Sequence, residues 1–203
     1  MNKFKCTIFI FIVVICSLII AYPYITDLIN SYKNIDPEEM TIKSGEYIVG
    51  EDINQGIYDI EVISGKIKFM QRELSIKDKI LGVKLNNGEH VEVEGKGRVK
   101  LSPANFEAIE MSKSGQYEIN HSGFYKIGLQ LPEREYILSY TGKTEKEKPF
   151  VQILSSNNRD VLNTYDFQDK ESYKVFLKKG DILEINKCLF FESDSIVINL
   201  KPL

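Results

Sequence analysis

The chain has 203 residues, 43% of them apolar and 27% charged, with 29 acidic against 26 basic side chains and a net charge of −3. With only 2 histidines and 3 cysteines, it lacks the close-spaced ligand sets of a zinc centre and the cysteine density of a disulfide scaffold. A mildly acidic surface without a basic stripe excludes nucleic acid as a partner, since nothing would neutralise phosphates.

Met1-Asn2-Lys3-Phe4-Lys5 opens the chain, and residues 6–24 are almost wholly apolar. A helix needs about 20 apolar residues to cross a hydrocarbon core, and Thr7 and Ser17 can bond back onto their own turns. Lys3 and Lys5 precede the run and Asp27 follows it. The positive-inside rule therefore predicts a single-pass cell-membrane protein with a cytoplasmic N-terminus and residues 25–203 outside. The bilayer is the first expected partner, through residues 6–24, with Tyr22 and Tyr24 at the outer interface. A cleaved signal peptide, giving a secreted protein, is the alternative, although Ile19-Ile20-Ala21 offers only one small residue before a cut. A lipoprotein would need a small residue before its cysteine, whereas Cys16 follows Ile15. Cys6 and Cys16 fall in the anchor and Cys188 remains alone outside it, as a small buried apolar residue without a disulfide partner. Taking away the two anchor lysines leaves −5 on residues 25–203. Residues 25–43 read as a stalk, in which Asp36-Pro37 stops any helix because the residue before proline is pushed out of the α region.

Beyond the stalk a stretch occurs twice. Tyr47, Gly50, Ile53, Tyr58 and Ile60 return as Tyr125, Gly128, Leu131, Tyr136 and Leu138 at a constant offset of 78. A second block, from Val83 to Val93, returns from Val175 to Ile185 at an offset of 92. The difference of 14 residues is an insertion expected in 155–170, where a longer surface loop costs little closure entropy. Period-two alternation runs through both copies: Tyr58, Ile60 and Val62; Leu81, Val83 and Leu85; Tyr136, Leu138 and Tyr140; Ile196, Ile198 and Leu200. The expected fold is all-β, two tandem antiparallel sandwich modules of jelly-roll or Greek-key kind at residues 44–112 and 113–203, with the boundary at Met111-Ser112-Lys113-Ser114-Gly115. Gly88 and Gly180 suit left-handed positions in tight hairpins, and Gly50 and Gly128 suit corners where the chain changes sheets.

The side chains that carry chemistry are scattered. His90 and His121 fall in different copies, and no G-x-S-x-G is present. Glu133 with Glu135, and Asp59 with Glu61, have the paired carboxylates of a glycosidase, yet at i and i+2 they share the polar face of a strand. Calcium could use Asn157, Asn158 and Asp160, or Glu192, Ser193 and Asp194, but neither set has the spacing of a known loop. No catalytic, metal or cofactor site is predicted. The candidate ligand-binding residues are Tyr47, Tyr58, Tyr125 and Tyr136, whose rings can stack on sugar faces and which recur at equivalent places. A packed corner would recur in the same way.

The frame Y-x-[VI]-G-x-[DQ]-[IL]-[NP]-x-x-x-Y, followed by a G-[DE] hairpin and a strand ending near a cysteine, resembles a repeat of exported Gram-positive surface proteins of the Firmicutes type, mostly uncharacterised. Their first block commonly reads Y-x-V-G-x-D-I-P-x-G-x-Y. Tyr47, Val49, Gly50, Asp52, Ile53, Gly56 and Tyr58 keep it in copy one, with Asn54 for proline; Tyr125, Ile127, Gly128, Leu131, Pro132 and Tyr136 keep it in copy two, with Gln130 for the acid and Arg134 for the second glycine. Gly180, Asp181, Leu183 and Cys188 carry the second block. The resemblance spans about residues 44–203 and implies an extracytoplasmic β-module without an assigned activity. The expected function is a non-catalytic binding or structural module of the cell envelope with a protein or glycan partner. Alternatives are an accessory of another membrane protein, or an envelope glycan hydrolase.

Overall fold

The computed structural model describes residues 36–142, 148–156, 160–168, 170–188, 192 and 195–203. The expected anchor with Cys6 and Cys16, residues 25–35 of the stalk, and Asn157, Asn158, Ser193 and Asp194 lie outside them. Among the described residues no helix is long and apolar enough to cross a membrane.

The described chain is all-β. Its strands are β1 (Met40–Ile48), β2 (Gly56–Phe69), β3 (Arg72–Ser75), β4 (Lys79–Leu85), β5 (His90–Pro103), β6 (Tyr117–Ile119), β7 (Ser122–Lys126), β8 (Arg134–Thr141), β9 (Phe150–Leu154), β10 (Val161–Asp166), β11 (Ser172–Leu177), β12 (Ile182–Asn186) and β13 (Val197–Pro202). They form two sheets: one in the order β1-β5-β2-β4-β7-β12-β9-β10 with β3 on β2, and one in the order β11-β8-β13-β6. β1 begins at Met40, inside the stretch expected to be stalk. Residues 44–112 and 113–203 share the larger sheet, because β4 pairs in parallel with β7.

The matched blocks make matched pairings. Tyr47 lies opposite Val91 and Tyr125 opposite Leu183. Tyr58 lies opposite Val83 and Tyr136 opposite Val175. Ile60 meets Leu101 as Leu138 meets Leu200. The two halves differ in continuity. β1, β2 and β5 run unbroken, whereas their counterparts are split into β6 and β7, β8 and β9, and β12 and β13. The long strands turn through register shifts, at Lys43/Gly45 and Val62/Ser64. Where β2 crosses β5, a Cβ on Gly65 would stand 2.0 Å from the Lys96 carbonyl oxygen, so only glycine lets the two backbones pass. The extra length of the second half is shared between the eight residues that separate β8 from β9, where β2 runs on without a break, and the β9–β10 hairpin, which places six residues between its strands where the first half closes the corresponding hairpin with Met70 and Gln71 alone.

Each half has its own core. One gathers Ile42, Tyr58, Ile60, Phe69, Leu74 and Leu101, and the other Tyr125, Tyr136, Leu138, Phe167, Leu183 and Leu200. Leu81 crosses between them. Strict alternation would put it on one face with Val83 and Leu85, but the β2–β4 pairing shifts register between Tyr58 and Ile60. That bulge sends Ile80 into the first core and leaves Leu81 packed against the second.

Candidate functional site

The four recurring tyrosines do one job. Each hydroxyl donates to the carbonyl four residues before it: Tyr47 to Lys43 at 2.9 Å, Tyr58 to Asn54 at 2.8 Å, Tyr125 to His121 at 2.7 Å and Tyr136 to Pro132 at 2.8 Å. These are tyrosine corners, in which the ring fills the core and the hydroxyl ties the entering chain to the strand. Tyr58, Tyr125 and Tyr136 are buried and Tyr47 is half-buried. The corner loops are equally matched. Gly50 N–H donates to Ile53 O at 2.6 Å and Gly128 N–H to Leu131 O at 2.7 Å, both glycines lying at positive φ, 96° and 90°. A side-chain oxygen completes each loop: Asp52 Oδ2 accepts from Ile48 N–H at 2.8 Å, and Gln130 Oε1 accepts from Lys126 N–H at 3.0 Å. The amide of Gln130 thus replaces the missing acid without loss of the bond.

The carboxylate pairs are engaged locally. Asp59 accepts from Gly82 N–H and Asn105 N–H at 2.8 and 3.1 Å. Glu61 pairs with Lys79 at 3.1 Å and Glu135 with Lys174 at 3.0 Å. Glu133 is exposed, as is His90; the His121 carbonyl serves the Tyr125 corner. Among the described residues no group of three His, Cys, Asp or Glu side chains could hold a metal ion. Cys188 is buried, as expected of a small apolar residue.

The structure brings together a different set. A cleft of about 660 Å³ opens where β4 meets β7. Ile80, Val83, Phe124 and Ile185 give it an apolar floor, and Arg72, Lys84, Glu89 and Glu184 put two charges of each sign around it. Its rim is the β2–β3 turn, in which Met70 and Gln71 both adopt positive φ, 45° and 70°. Two successive non-glycine residues in that region hold strain of about 1–3 kcal/mol each. Arg72 follows the turn directly. Its Nη2 donates to Asn186 Oδ1, and Asn186 Nδ2 donates to Glu184 Oε1 at 3.0 Å. Burial pushes the guanidinium below its ordinary value and Glu192 and Glu184 oppose the change, so it stays charged at neutral pH.

Behind Arg72 lies a buried ion pair. Lys187 Nζ stands 3.1 Å from Glu192 Oε1, with each side chain 1% exposed. Lys187 also donates to Asn120 O at 2.6 Å, and Glu192 Oε1 accepts from Ser122 N–H at 3.0 Å. Glu192 Oε2 is 4.0 Å from Arg72 Nη1 and has no hydrogen-bond partner among the described residues. Of this set the sequence singled out only Glu192, and as a calcium oxygen, whereas in the structure it pairs with Lys187. Arg72 and Asn186 are 114 residues apart, and a Met-Gln turn lacks the Asn-Gly signature that announces a two-residue hairpin.

No protein-family model matches this sequence, and no curated protein matches it either.

Proposed function

We propose that this protein is a membrane-anchored, extracytoplasmic binding protein of the cell envelope. Residues 6–24 cross the bilayer, and the chain beyond carries two copies of one β-sandwich module of Greek-key or jelly-roll kind, 44–112 and 113–203. The matched pairings and matched tyrosine corners support the duplication, and the resemblance to exported Gram-positive repeats supports the compartment. The observation that carries the binding role is the cleft between the halves. Its ~660 Å³ falls within the range of small-ligand sites, and Arg72 stands at its wall beside a strained turn. Cations and anions balance around an apolar floor, which suits a ligand bearing both a carboxylate and an amine: a short envelope peptide, or a glycan that carries one.

Titration of the full chain in detergent with solubilised wall fragments, peptide-bearing and peptide-free, tests the reading. Peptide-bearing fragments are expected to bind, and Arg72→Leu to weaken them by about tenfold or more, the loss of one charge-assisted contact. Equal binding by the variant, or binding by neither fragment, overturns it. Protease added to intact cells is expected to digest the β-region. Protection that vanishes only on lysis would reverse the orientation.

A further inference from the structure

A second, smaller hollow adjoins the cleft, and its charged residues among those described are two lysines. Where β4 lies on β7, Ile80 pairs with Ser122 and Leu81 with Gly123. Continued along both strands, that register sets Gly82 beside Phe124 and Lys84 beside Lys126. A Cβ on Gly82 would stand only 2.4 Å from the Phe124 carbonyl oxygen, as that placement requires. Lys84 in turn lies opposite Ile57 of β2, and Lys126 opposite Ile182 of β12. Residues in register point to one face of a sheet, so Ile57, Lys84, Lys126 and Ile182 make a row across four strands. The hollow, of about 110 Å³, opens over this row, with Phe106 and Phe124 in its wall. It shares Lys84 and Phe124 with the cleft.

Two like charges side by side on a sheet cost stability unless something of opposite sign lies between them. Among the described residues neither ammonium has an ion-pair partner, and no acid lines the hollow. The acids of the adjoining strands are turned elsewhere: Asp59 accepts from Gly82 N–H and Asn105 N–H, and Glu184 Oε1 accepts from Asn186 Nδ2. The bond to Asn105 also pins the segment that follows β5, and the next residue, Phe106, lays its ring 3.7 Å from Lys126 Nζ. A ring face attracts a cation without neutralising it. Burial pushes the Lys126 ammonium below its ordinary value, the cost that a bound anion would reverse.

We propose that this hollow receives the carboxylate of the ligand, between Lys84 and Lys126, while the rest of the ligand reaches past Phe124 into the cleft. The proposal rests on the cleft reading above and deepens it by fixing which end of the ligand goes where. Two ammonium groups match the two oxygens of a carboxylate. A phosphate would leave further oxygens against Ile57, Phe106 and Ile182, where unmatched polar atoms are costly. Arg72 is the less suitable partner, because its guanidinium is already held by Asn186 and faces Glu192.

Peptide-bearing wall fragments, with carboxyl groups free or converted to methylamides, test this by calorimetry on the full chain in detergent. The free-carboxyl form is expected to bind about tenfold tighter or more, the worth of a charge-assisted contact. Lys126→Met is expected to remove that difference between the two forms. Lys126→Arg, which keeps the charge, should retain it, and so should Arg72→Leu, although that variant binds both forms more weakly. The proposal is overturned if the parent binds the two forms equally, if Lys126→Met keeps the preference, or if Arg72→Leu abolishes it. Equal binding of the two forms by the parent leaves the cleft reading in place, whereas binding of neither form overturns the cleft reading and this one together.

Discussion

Tyrosine at a corner serves two requirements at once, because the ring fills the core and the hydroxyl donates to the carbonyl four residues before it. Tyr58 and Tyr136 are wholly buried. Their truncation to alanine should therefore cost about 3–5 kcal/mol each, as large aromatic deletions in cores do. Tyrosine to phenylalanine keeps the ring and should cost only about 1 kcal/mol for the hydrogen bond. Urea titration of the four variants checks both figures, and melts unchanged by either alanine substitution would mean that the rings carry no packing. The same residues set an alkaline limit. Burial, with Tyr117 nearby, pushes the Tyr136 phenol up to about 12, and burial raises Tyr58 and Tyr125 as well. An unfolded tyrosine loses its proton near pH 10, so above that value the unfolded chain binds fewer protons than the native one. The stability these phenols contribute is complete below about pH 10 and is lost as pH climbs towards the native values. Alkaline unfolding followed by tyrosinate absorbance should begin in that window, and Tyr136→Phe should move its midpoint upward.

Hairpins and bulges are where the two halves part company. The β2–β3 turn holds Met70 and Gln71 at positive φ, a conformation that Asn-Gly adopts without strain in a two-residue hairpin. Replacing the pair by Asn-Gly should stabilise the protein by about 1–2 kcal/mol, measured by thermal melting. Weaker wall-fragment binding alongside that gain would mean that the strained turn helps to set Arg72. A failure to stabilise would show that contacts of Met70 along the cleft offset the strain. β4 shows the opposite economy. Its bulge places Gly82 at φ +68° with its N–H on Asp59, and that single irregularity re-aims Leu81 into the neighbouring core. β11 lacks the irregularity, and its Tyr173 stays with Tyr165 and Phe167 of its own half at ring separations of 5.2 and 5.3 Å.

At the scale of the molecule, the described residues join the two cores through the short β4–β7 parallel pairing, through Leu81 and Ile109, and through the charged cluster in which Arg72 of the first half faces Glu192 of the second. The Lys187–Glu192 pair is desolvated on both sides. Lys187→Met should then strand a buried carboxylate and cost about 3–5 kcal/mol, whereas Lys187→Met with Glu192→Leu should recover most of the loss. A double-mutant cycle by urea titration measures the coupling. Additive losses would mean that the two side chains act independently. Loosening of the first half when this pair is broken, read by amide exchange at Arg72 and Leu74, would show that the cluster holds the halves together.

What could be read from the chain alone was what neighbouring residues decide. Period-two burial in β2 and β8, left-handed glycines at Gly88 and Gly180 with φ of 79° and 94°, and the matched tyrosines at 47, 58, 125 and 136 all follow from side-chain alternation and turn chemistry within a few positions. The cleft and its ion pair could not be read so. Strand edges join through backbone N–H and C=O groups that every residue except proline carries, so no side chain announces that β4 will lie on β7 or that Arg72 will meet Asn186. Leu81 illustrates the boundary: alternation assigned it to the first core, and a bulge, set by the Asp59 carboxylate on Gly82 N–H and by the approach of β7, turned it into the second.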